Sequence, residues 1–302
     1  MNEPPFRYRQ SQLYGWPFYM ARKTLRLAGY TMLRTADALS AREKYPSPLF
    51  LRPLLPANRR LKDIHQGRRC FVIGNGPSLT TEDIEPLSGE ITFAMNGFLN
   101  HPAIDRWQPT YYSLVDPTFF DGSESSNRFL DCFFSIVQAS HLIVPCISHN
   151  RVADRGDRVT FVSFAGSLAN ARLRRIDLTR PLPGIMNSAQ LAILVALYMG
   201  CSPIYLLGMD HDWLAHRGHD PHFYPNTTLE NHPNASGDCG KFPYRRILED
   251  VQTVWRGYET LLTYGDSHAR RIINCTKGGF LDVFERANLD AVLAARTARR
   301  AA

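Results

Sequence analysis

The chain has 302 residues, of which 44% are hydrophobic and 21% are charged, and its formal net charge is +7 at pH 7. This composition is typical of a globular protein and excludes disordered, collagen-like and coiled-coil chains. The sequence has neither an apolar run of the ~18–20 residues that a membrane-spanning helix needs nor the apolar core of a signal peptide, so we expect a cytoplasmic protein. The positive charge favours an anionic partner, such as nucleotide phosphates, an acidic membrane surface or nucleic acid.

Residues 1–62 form a predicted N-terminal extension. Apolar and basic side chains are interleaved between residues 13 and 42, as in Leu25 and Met32 beside Arg22. This pattern predicts a basic amphipathic helix, which either lies on an anionic membrane surface or packs on the core with its basic face in solvent. A proline-rich stretch follows and predicts a linker that ends at residue 62.

A strand, a glycine turn and the start of a helix are predicted next. The apolar run Cys70–Ile73 predicts the strand, and a helix is expected to begin after Thr80. The turn between them consists of Gly74, Asn75, Gly76, Pro77 and Ser78. Glycines let backbone amides approach a phosphate, and a helix start adds partial positive charge. The turn therefore indicates a phosphate site, and a purely structural strand-to-helix turn is the alternative.

Two further strand-like runs end in polar residues. The first stops at Asn96, and the second, 111–115, stops at Asp116. In open α/β sheets the ligand crevice lies beyond the carboxyl ends of the strands, so Asn75, Asn96 and Asp116 are expected to converge there. The two amides can bind a base or ribose, and Asp116 can accept hydrogen bonds from hydroxyls. Local turn formation is the alternative for each residue.

A regular parallel unit spans residues 184–213. Ser188–Tyr198 is nearly all apolar and predicts a buried helix, and the following strand opens into Gly208 and an acidic loop. Asn187 and Ser188 lie at the start of this helix, where free backbone amides can bind an anion or a donor carboxylate. Helix capping is compatible with that role.

A histidine-rich loop follows, and we expect residues 214–241 to close over bound substrate. The histidines of this region are His211, His216, His219, His222 and His232. Histidine titrates near neutral pH and can act as a general base or acid. Asp210 and Asp212 can hold Mg²⁺ or Mn²⁺, but no spacing matches a strong metal motif, so no cofactor is assigned firmly.

Residues 68–286 carry motifs of known families. The G-N-G-P-S-L motif that begins at Gly74, the strand that ends at Asn96 and the I-Y-L-L-G-M-D run that ends at Asp210 resemble bacterial sialyltransferases. With V-D-P around Asp116 and the I-N-C-T-K-G-G-F-L-D-V-F run that ends at Phe284, the chain resembles the MptE-like family even more. That family contains hydroxymethylpterin diphosphokinases and relatives of flagellin-modifying glycosyltransferases.

The resemblance implies a Rossmann-like α/β domain, which we place at 63–286, with a mostly parallel sheet, flanking helices and a histidine-rich lid. The alanine- and arginine-rich residues 287–302 predict a surface helix after it. The resemblance implies that Asn75, Ser78 and Asn96 face the nucleotide and that Asn187 and Ser188 face the donor phosphate or sugar acid. With the glycine turn and the strand ends, the predicted donor-binding residues are Gly74, Asn75, Gly76, Pro77, Ser78, Asn96, Asp116, Asn187, Ser188 and Gly208. A histidine in the variable segment is the implied base; we choose His222, with His219 and His232 as alternatives. Asp210 and Asp212 complete the predicted catalytic set.

The sequence therefore predicts a transferase, with a glycosyltransferase as the first hypothesis. It would move a nucleotide-activated, sialic-acid-like or other sugar to a cell-surface glycan or glycoprotein. A pyrophosphokinase that uses ATP and magnesium is the alternative, and a non-catalytic nucleotide-binding protein is a third. Nucleic-acid binding is not expected, because the basic residues cluster near the chain ends. If the 13–42 helix binds lipid, the protein lies on the inner face of the cytoplasmic membrane.

Overall fold

A computed structural model gives an open α/β fold built on one eight-stranded sheet. It describes residues 49–80, 84–212, 214–215, 222–224 and 243–301, and helical positions 21, 24–25, 28–29, 31–32, 35–36 and 39. The strands are β1 Cys70–Ile73, β2 Ile91–Met95, β3 Tyr111–Ser113, β4 His141–Pro145, β5 Val159–Val162, β6 Ile204–Leu207, β7 Ile272–Asn274 and β8 Glu285–Arg286. Their order is β5-β4-β3-β2-β1-β6-β7-β8. All neighbours pair in parallel, which confirms the predicted Rossmann-like fold.

Helices cover both faces of the sheet. The described α-helices are α1 Glu124–Ile136, α2 His149–Val152, α3 Ser188–Tyr198, α4 Tyr244–Ser267 and α5 Leu289–Ala301. Successive side chains of β1 alternate between the two sides: Val72 packs with α3 and α4, whereas Phe71 packs with α1 and the start of α5. A sheet buried on both faces explains why its strands have continuous apolar sequences.

Helix α3 is buried along its whole length, as its apolar sequence predicted. It begins at Asn187, whose Oδ1 accepts a hydrogen bond of 3.0 Å from the Gln190 amide. Helix α4 packs against it through a stripe that includes Val254, Tyr258 and Leu261. The two helices therefore form a rigid layer on one face of the sheet.

The sheet has a topological switch point between β1 and β6, its two neighbouring central strands. From β1 it adds β2 to β5 on one side, and β6 to β8 lie on the other side. Such a switch point opens a crevice at the carboxyl edge, because the loops after the two central strands leave in opposite directions. The glycine turn after β1 and the acidic loop after β6 meet at this crevice.

The sequence predicted a helix after the glycine turn, and the described residues there do not form one. The described residues form short 3₁₀ segments instead, Pro77–Thr80 and Glu85–Leu87. Pro86 lies inside the second segment, where it cannot donate the backbone hydrogen bond that a continuing α-helix requires. In the described residues on either side of 81–83, no α-helix begins at this turn to add partial positive charge.

Residues 49–61 of the predicted linker pack on the folded body. The 3₁₀ segment Leu49–Leu61 contains Pro53 and Pro56, which prevent a regular α-helix. Leu55 is only 2% exposed, and the Asn58 amide donates hydrogen bonds of 2.7 and 2.9 Å to the carbonyls of Phe161 and Leu178. These contacts attach the segment to β5, while the domain boundary at residue 62 stays a prediction.

The described positions between 21 and 39 are helical and exposed. Leu25 and Met32 are each 73% exposed and Leu39 is 62% exposed, so these side chains do not pack on the core. Among the residues that the structure describes, no helix is long and apolar enough to cross a membrane.

We expect Leu55→Ala to lower the free energy of unfolding by about 2–4 kcal/mol, because it leaves a cavity where a buried side chain was. Urea denaturation monitored by tryptophan fluorescence measures this change. Leu248→Ala is the matched control, because Leu248 is 44% exposed on α4, and we expect less than about 0.5 kcal/mol there. Equal effects of the two substitutions would contradict packing of the 49–61 segment.

Candidate active site

Glycines allow the loops after β1 and β6 to touch. A Cβ on Gly74 would lie 2.5 Å from the Gly208 carbonyl oxygen, and a Cβ on Gly76 would lie 1.7 Å from Asp210 Oδ2. Both distances are far below contact distance, so no side chain fits at either position. The Gly76 amide instead donates a hydrogen bond of 2.9 Å to the Gly208 carbonyl. The predicted glycine turn is therefore a close-packed junction at the switch point.

The carboxylate of Asp210 holds this turn. It accepts hydrogen bonds from the Ser78 amide at 3.2 Å and from Ser78 Oγ at 2.9 Å. Asp210 is 6% exposed, and its burial raises the pKa of the carboxyl although the bonds from Ser78 act in the opposite direction. The carboxylate thus faces the turn. The structure brings the predicted residues Asp210 and Ser78 together, with Asp210 in a position to support the site.

Asn75 presents a buried hydrogen-bond acceptor at the crevice. Its side chain is 8% exposed, and Nδ2 donates a bond of 3.0 Å to the Met95 carbonyl at the end of β2. Its Oδ1 has no hydrogen-bond partner among the described residues. A buried acceptor without a partner costs about 1–3 kcal/mol. A donor group on a ligand would remove that cost.

Asn96 and Ser188 connect β2 to the start of α3. Ser188 Oγ donates a hydrogen bond of 3.0 Å to Asn96 Oδ1. Asn96 has a left-handed backbone with φ of 50°, and its carbonyl accepts a bond of 2.6 Å from the Tyr112 hydroxyl. The two predicted residues therefore lie side by side, and the first turn of α3 faces the crevice.

A second polar chain reaches the start of α3 from the other side. His211 Nε2 and the Tyr258 hydroxyl are 2.7 Å apart, and Asn187 Nδ2 donates to the same hydroxyl at 3.1 Å. His211 has φ of 52°, and burial of its ring lowers its pKa to about 3. The imidazole is therefore neutral at physiological pH. The sequence did not identify Tyr258 as a site residue, because it lies on the apolar stripe of α4, whose pattern predicts core packing.

His222 lies at the same edge of the sheet. The Phe223 amide donates a hydrogen bond of 2.9 Å to the Asn75 carbonyl, which attaches the described part of the loop to the glycine turn. The His222 ring stacks on Tyr224 with 5.0 Å between centroids. Burial raises the pKa of Tyr224 above its usual range. His216, His219 and His232 lie outside the described residues.

The two remaining predicted carboxylates differ in their surroundings. Asp116 Oδ1 accepts hydrogen bonds from the Thr118 amide at 3.0 Å and from Thr118 Oγ1 at 2.8 Å, so this oxygen caps the turn after β3. Asp212 is close enough to Asp210 to contribute to its raised pKa. Within the described ranges no group of three or more His, Cys, Asp or Glu side chains could hold a metal ion.

The fold and this arrangement together define an open, doubly wound α/β protein with a cluster of polar side chains at its switch point. Neither a protein-family model nor a curated protein matches the chain, so the MptE-like resemblance finds no support there.

Solved glycosyltransferase structures are similar in shape. The Maf glycosyltransferase from Magnetospirillum magneticum has 16% identity and a TM-score of 0.45, and the match covers 83% of this chain and 41% of that protein. The sialyltransferase CstII from Campylobacter jejuni, in complex with the substrate analogue CMP-3FNeuAc, has 13% identity and a TM-score of 0.43, with 73% and 86% covered. CST-II with a trisaccharide acceptor and CMP has 14% identity and a TM-score of 0.43, with 72% and 85% covered.

We expect His211→Asn to reduce the acid sensitivity of the fold, because asparagine tolerates the left-handed backbone but does not titrate. The folded pKa of about 3 lies below the ordinary value of 6.5, so the unfolded chain binds the proton more readily. The contribution of His211 is therefore complete above pH 6.5 and is lost as the pH falls toward 3. Lowering the pH from 7 to 5 should therefore reduce the free energy of unfolding by about 1–2 kcal/mol less in the variant than in the unmodified protein, and urea denaturation at the two pH values measures this.

Ala269→Asn is the control for this comparison, because Ala269 also has a left-handed backbone, with φ of 52°. It introduces asparagine at an equivalent conformation without removing a titrating group. A pH dependence that is the same in His211→Asn and in the unmodified protein would contradict the low pKa of His211.

Proposed function

We propose that the protein is a glycosyltransferase that binds a nucleotide-activated sugar in the switch-point crevice. The observation that carries this proposal is the buried Asn75 Oδ1, which has no partner among the described residues. It lies between the glycine turn and the end of β2, where a base or ribose hydroxyl could donate to it. The donor phosphate or sugar acid would bind beside Ser188 at the start of α3, where a helix carries partial positive charge.

In the proposed reaction His222 is the general base. It takes the proton from an acceptor hydroxyl while the hydroxyl oxygen attacks the anomeric carbon of the donor. The bond from that carbon to the phosphate breaks, and its electron pair leaves with the nucleotide. Asp210 acts through Ser78 as a positioning residue, and Asp212 supplies a second carboxylate close to Asp210. His211 is less suitable as the base, because its Nε2 contacts Tyr258.

The donor and acceptor are proposed from the sequence motifs. The resemblance to sialyltransferases supports a sialic-acid-like or other nucleotide-activated sugar, and the relatives of flagellin-modifying enzymes support a cell-surface glycan or glycoprotein acceptor. The pyrophosphokinase alternative requires ATP and magnesium, for which the sequence offers the carboxylates Asp116, Asp210 and Asp212. Nucleotide and metal dependence therefore distinguish the two functions.

We also propose that the N-terminal helix binds an anionic membrane surface. Leu25, Met32 and Leu39 are exposed and recur every seven residues, which places them on one face of a helix. Basic residues such as Arg22 and Arg26 lie close to them in the sequence. An apolar stripe with neighbouring positive charge is the pattern of an interfacial helix. This attachment would place the transferase near lipid-linked or surface glycan acceptors.

A thermal-shift panel of nucleotides and nucleotide sugars, with and without magnesium, tests the donor site. A ligand that binds only the folded state raises the Tm, so we expect stabilisation by a cytidine or uridine nucleotide sugar without metal. Asn75→Ala should abolish this stabilisation, whereas Asn150→Ala, an exposed asparagine beyond β4, should retain it. His222→Ala should retain donor binding but lower the transfer rate by about 10²–10⁴-fold.

Stabilisation only by ATP with magnesium would contradict the glycosyltransferase proposal and favour the pyrophosphokinase. Normal transfer by His222→Ala would contradict the assignment of the base and leave the donor site standing.

Sedimentation with phosphatidylglycerol vesicles tests the proposed membrane helix. We expect the double substitution Leu25→Asp and Met32→Asp to abolish sedimentation, because it places two carboxylates on the apolar stripe. Thr24→Asp with Thr31→Asp makes the same change in charge at exposed neighbouring positions and should retain most of the binding. An equal loss in both variants would show that charge alone causes binding, and the apolar stripe would then have no role.

A further inference from the structure

A cavity lies at the amino edge of the sheet, opposite the crevice. Its volume is about 590 Å³, within the usual range of small-molecule sites. The walls come from the end of the Leu49–Leu61 segment and the residues just after it, from the stretch between β5 and α3, and from the C-terminal ends of α3 and α4. Helix α3 has 11 residues, so its two ends are about 16 Å apart at 1.5 Å per residue. Asn187 at one end faces the crevice, and Tyr198 at the other end lines this cavity.

The cavity is cationic. Arg59, Lys62, Arg175 and Arg270 line it, against the carboxylates Asp63 and Asp177. The carboxylates already have partners: Asp177 pairs with Arg175 at 3.2 Å, and Asp63 lies 4.0 Å from Lys62.

Two of the four cations have no carboxylate beside them in the described part of the chain. Arg270 donates to neutral acceptors, the Gly200 carbonyl at 2.8 Å and Gln66 Oε1 at 2.9 Å, and forms no ion pair with a described carboxylate. Arg59 forms no ion pair with a described residue and is exposed. The cavity therefore retains positive charge after its internal pairs are counted.

The cavity also has an aromatic wall. The rings of Tyr264 and His268 stack with 4.0 Å between centroids, and Tyr198 lies on the same lining. Leu197 and Ile176 contribute apolar surface. Guanidinium groups bind phosphate oxygens with more than one hydrogen bond, and cations from separate segments favour a multiply charged anion over a single carboxylate.

We propose that this amino-edge cavity is a second binding site, separate from the crevice, for a phosphate-bearing ligand. Arg59, Arg175 and Arg270 hold the phosphate, and the Tyr264 and His268 rings face the rest of the molecule. The ligand is either a soluble phosphate compound or the headgroup of an anionic lipid. The proposal does not depend on the reaction that takes place at the crevice.

Calorimetric titration of the full chain with inorganic pyrophosphate tests the soluble source. Arg59→Gln should weaken binding about tenfold, since a charged hydrogen bond contributes about 1.5–3 kcal/mol. Because Arg59 makes no ion pair with a described residue, its replacement is not expected to disturb folding, and circular dichroism verifies this. Arg256→Gln removes the same charge from an exposed position on α4 that does not line the cavity, and it should bind as the unmodified protein does.

Asn75→Ala should also bind pyrophosphate normally, which separates this cavity from the crevice and makes the outcome independent of the proposed donor site. Phosphatidylglycerol vesicles test the lipid source. Vesicle binding weakened by Arg59→Gln and not by Arg256→Gln, in the absence of pyrophosphate binding, assigns the site to a lipid headgroup. If neither probe distinguishes Arg59→Gln from Arg256→Gln, or if Asn75→Ala abolishes pyrophosphate binding, the proposal is overturned.

Discussion

The hydrogen bonds between the Asp210 carboxylate and Ser78 join the two central strands at their carboxyl edge. One partner follows β6 and the other follows β1, so the pair fixes the loops on either side of the switch point relative to each other. The close approach is possible because Gly74 and Gly76 leave room for the Gly208 carbonyl and for the carboxylate itself. A buried carboxylate is tolerated only when it is hydrogen-bonded, so this contact and the glycines depend on each other.

The rest of the crevice is arranged around the first turn of α3. Asn96 reaches it through Ser188 from the β2 side, and His211 reaches it through Tyr258 and Asn187 from the β6 side. The helix cannot shift to accommodate a ligand without disturbing a fully buried interface. The polar side chains around its first turn are therefore held in place by the fold itself.

Much of the fold could be predicted because its signals are local. The strands are short apolar runs that end at polar residues, and α3 is apolar on every side. The segment Leu49–Leu61 could not be predicted, because its prolines resemble a linker and the burial of Leu55 depends on Cys146, a residue remote in sequence. The helix predicted to begin after Thr80 is not found among the described residues for a similar reason, since glycine turns of this kind commonly precede helices in α/β proteins and only Pro86 indicates otherwise.

The sequence predicted where the candidate site lies in the fold better than it predicted which way each side chain of the site points. The rule that ligands bind at the carboxyl ends of parallel strands placed Asn75, Asn96 and Asp116 at one edge. The structure joins Asn75 to the end of β2 through the Met95 carbonyl, whereas Asp116 Oδ1 accepts its hydrogen bonds from Thr118. Residue type does not reveal that Asp210 faces Ser78, or that the His211 ring is held by a tyrosine from α4. Such details depend on side chains that come from distant parts of the chain, and sequence spacing does not record them.

The left-handed backbone of Asn96 and His211 has a consequence for the balance between folding and activity. A left-handed conformation costs an L-residue about 1–2 kcal/mol, somewhat less for asparagine, and glycine avoids this cost. Glycine at either position would remove the side chain that contacts Ser188 or Tyr258. The chain thus gives up stability at the rim of its crevice to keep polar groups there. Selection for heat resistance alone would therefore favour glycine at these two positions, and the crevice would lose the polar side chains of Asn96 and His211.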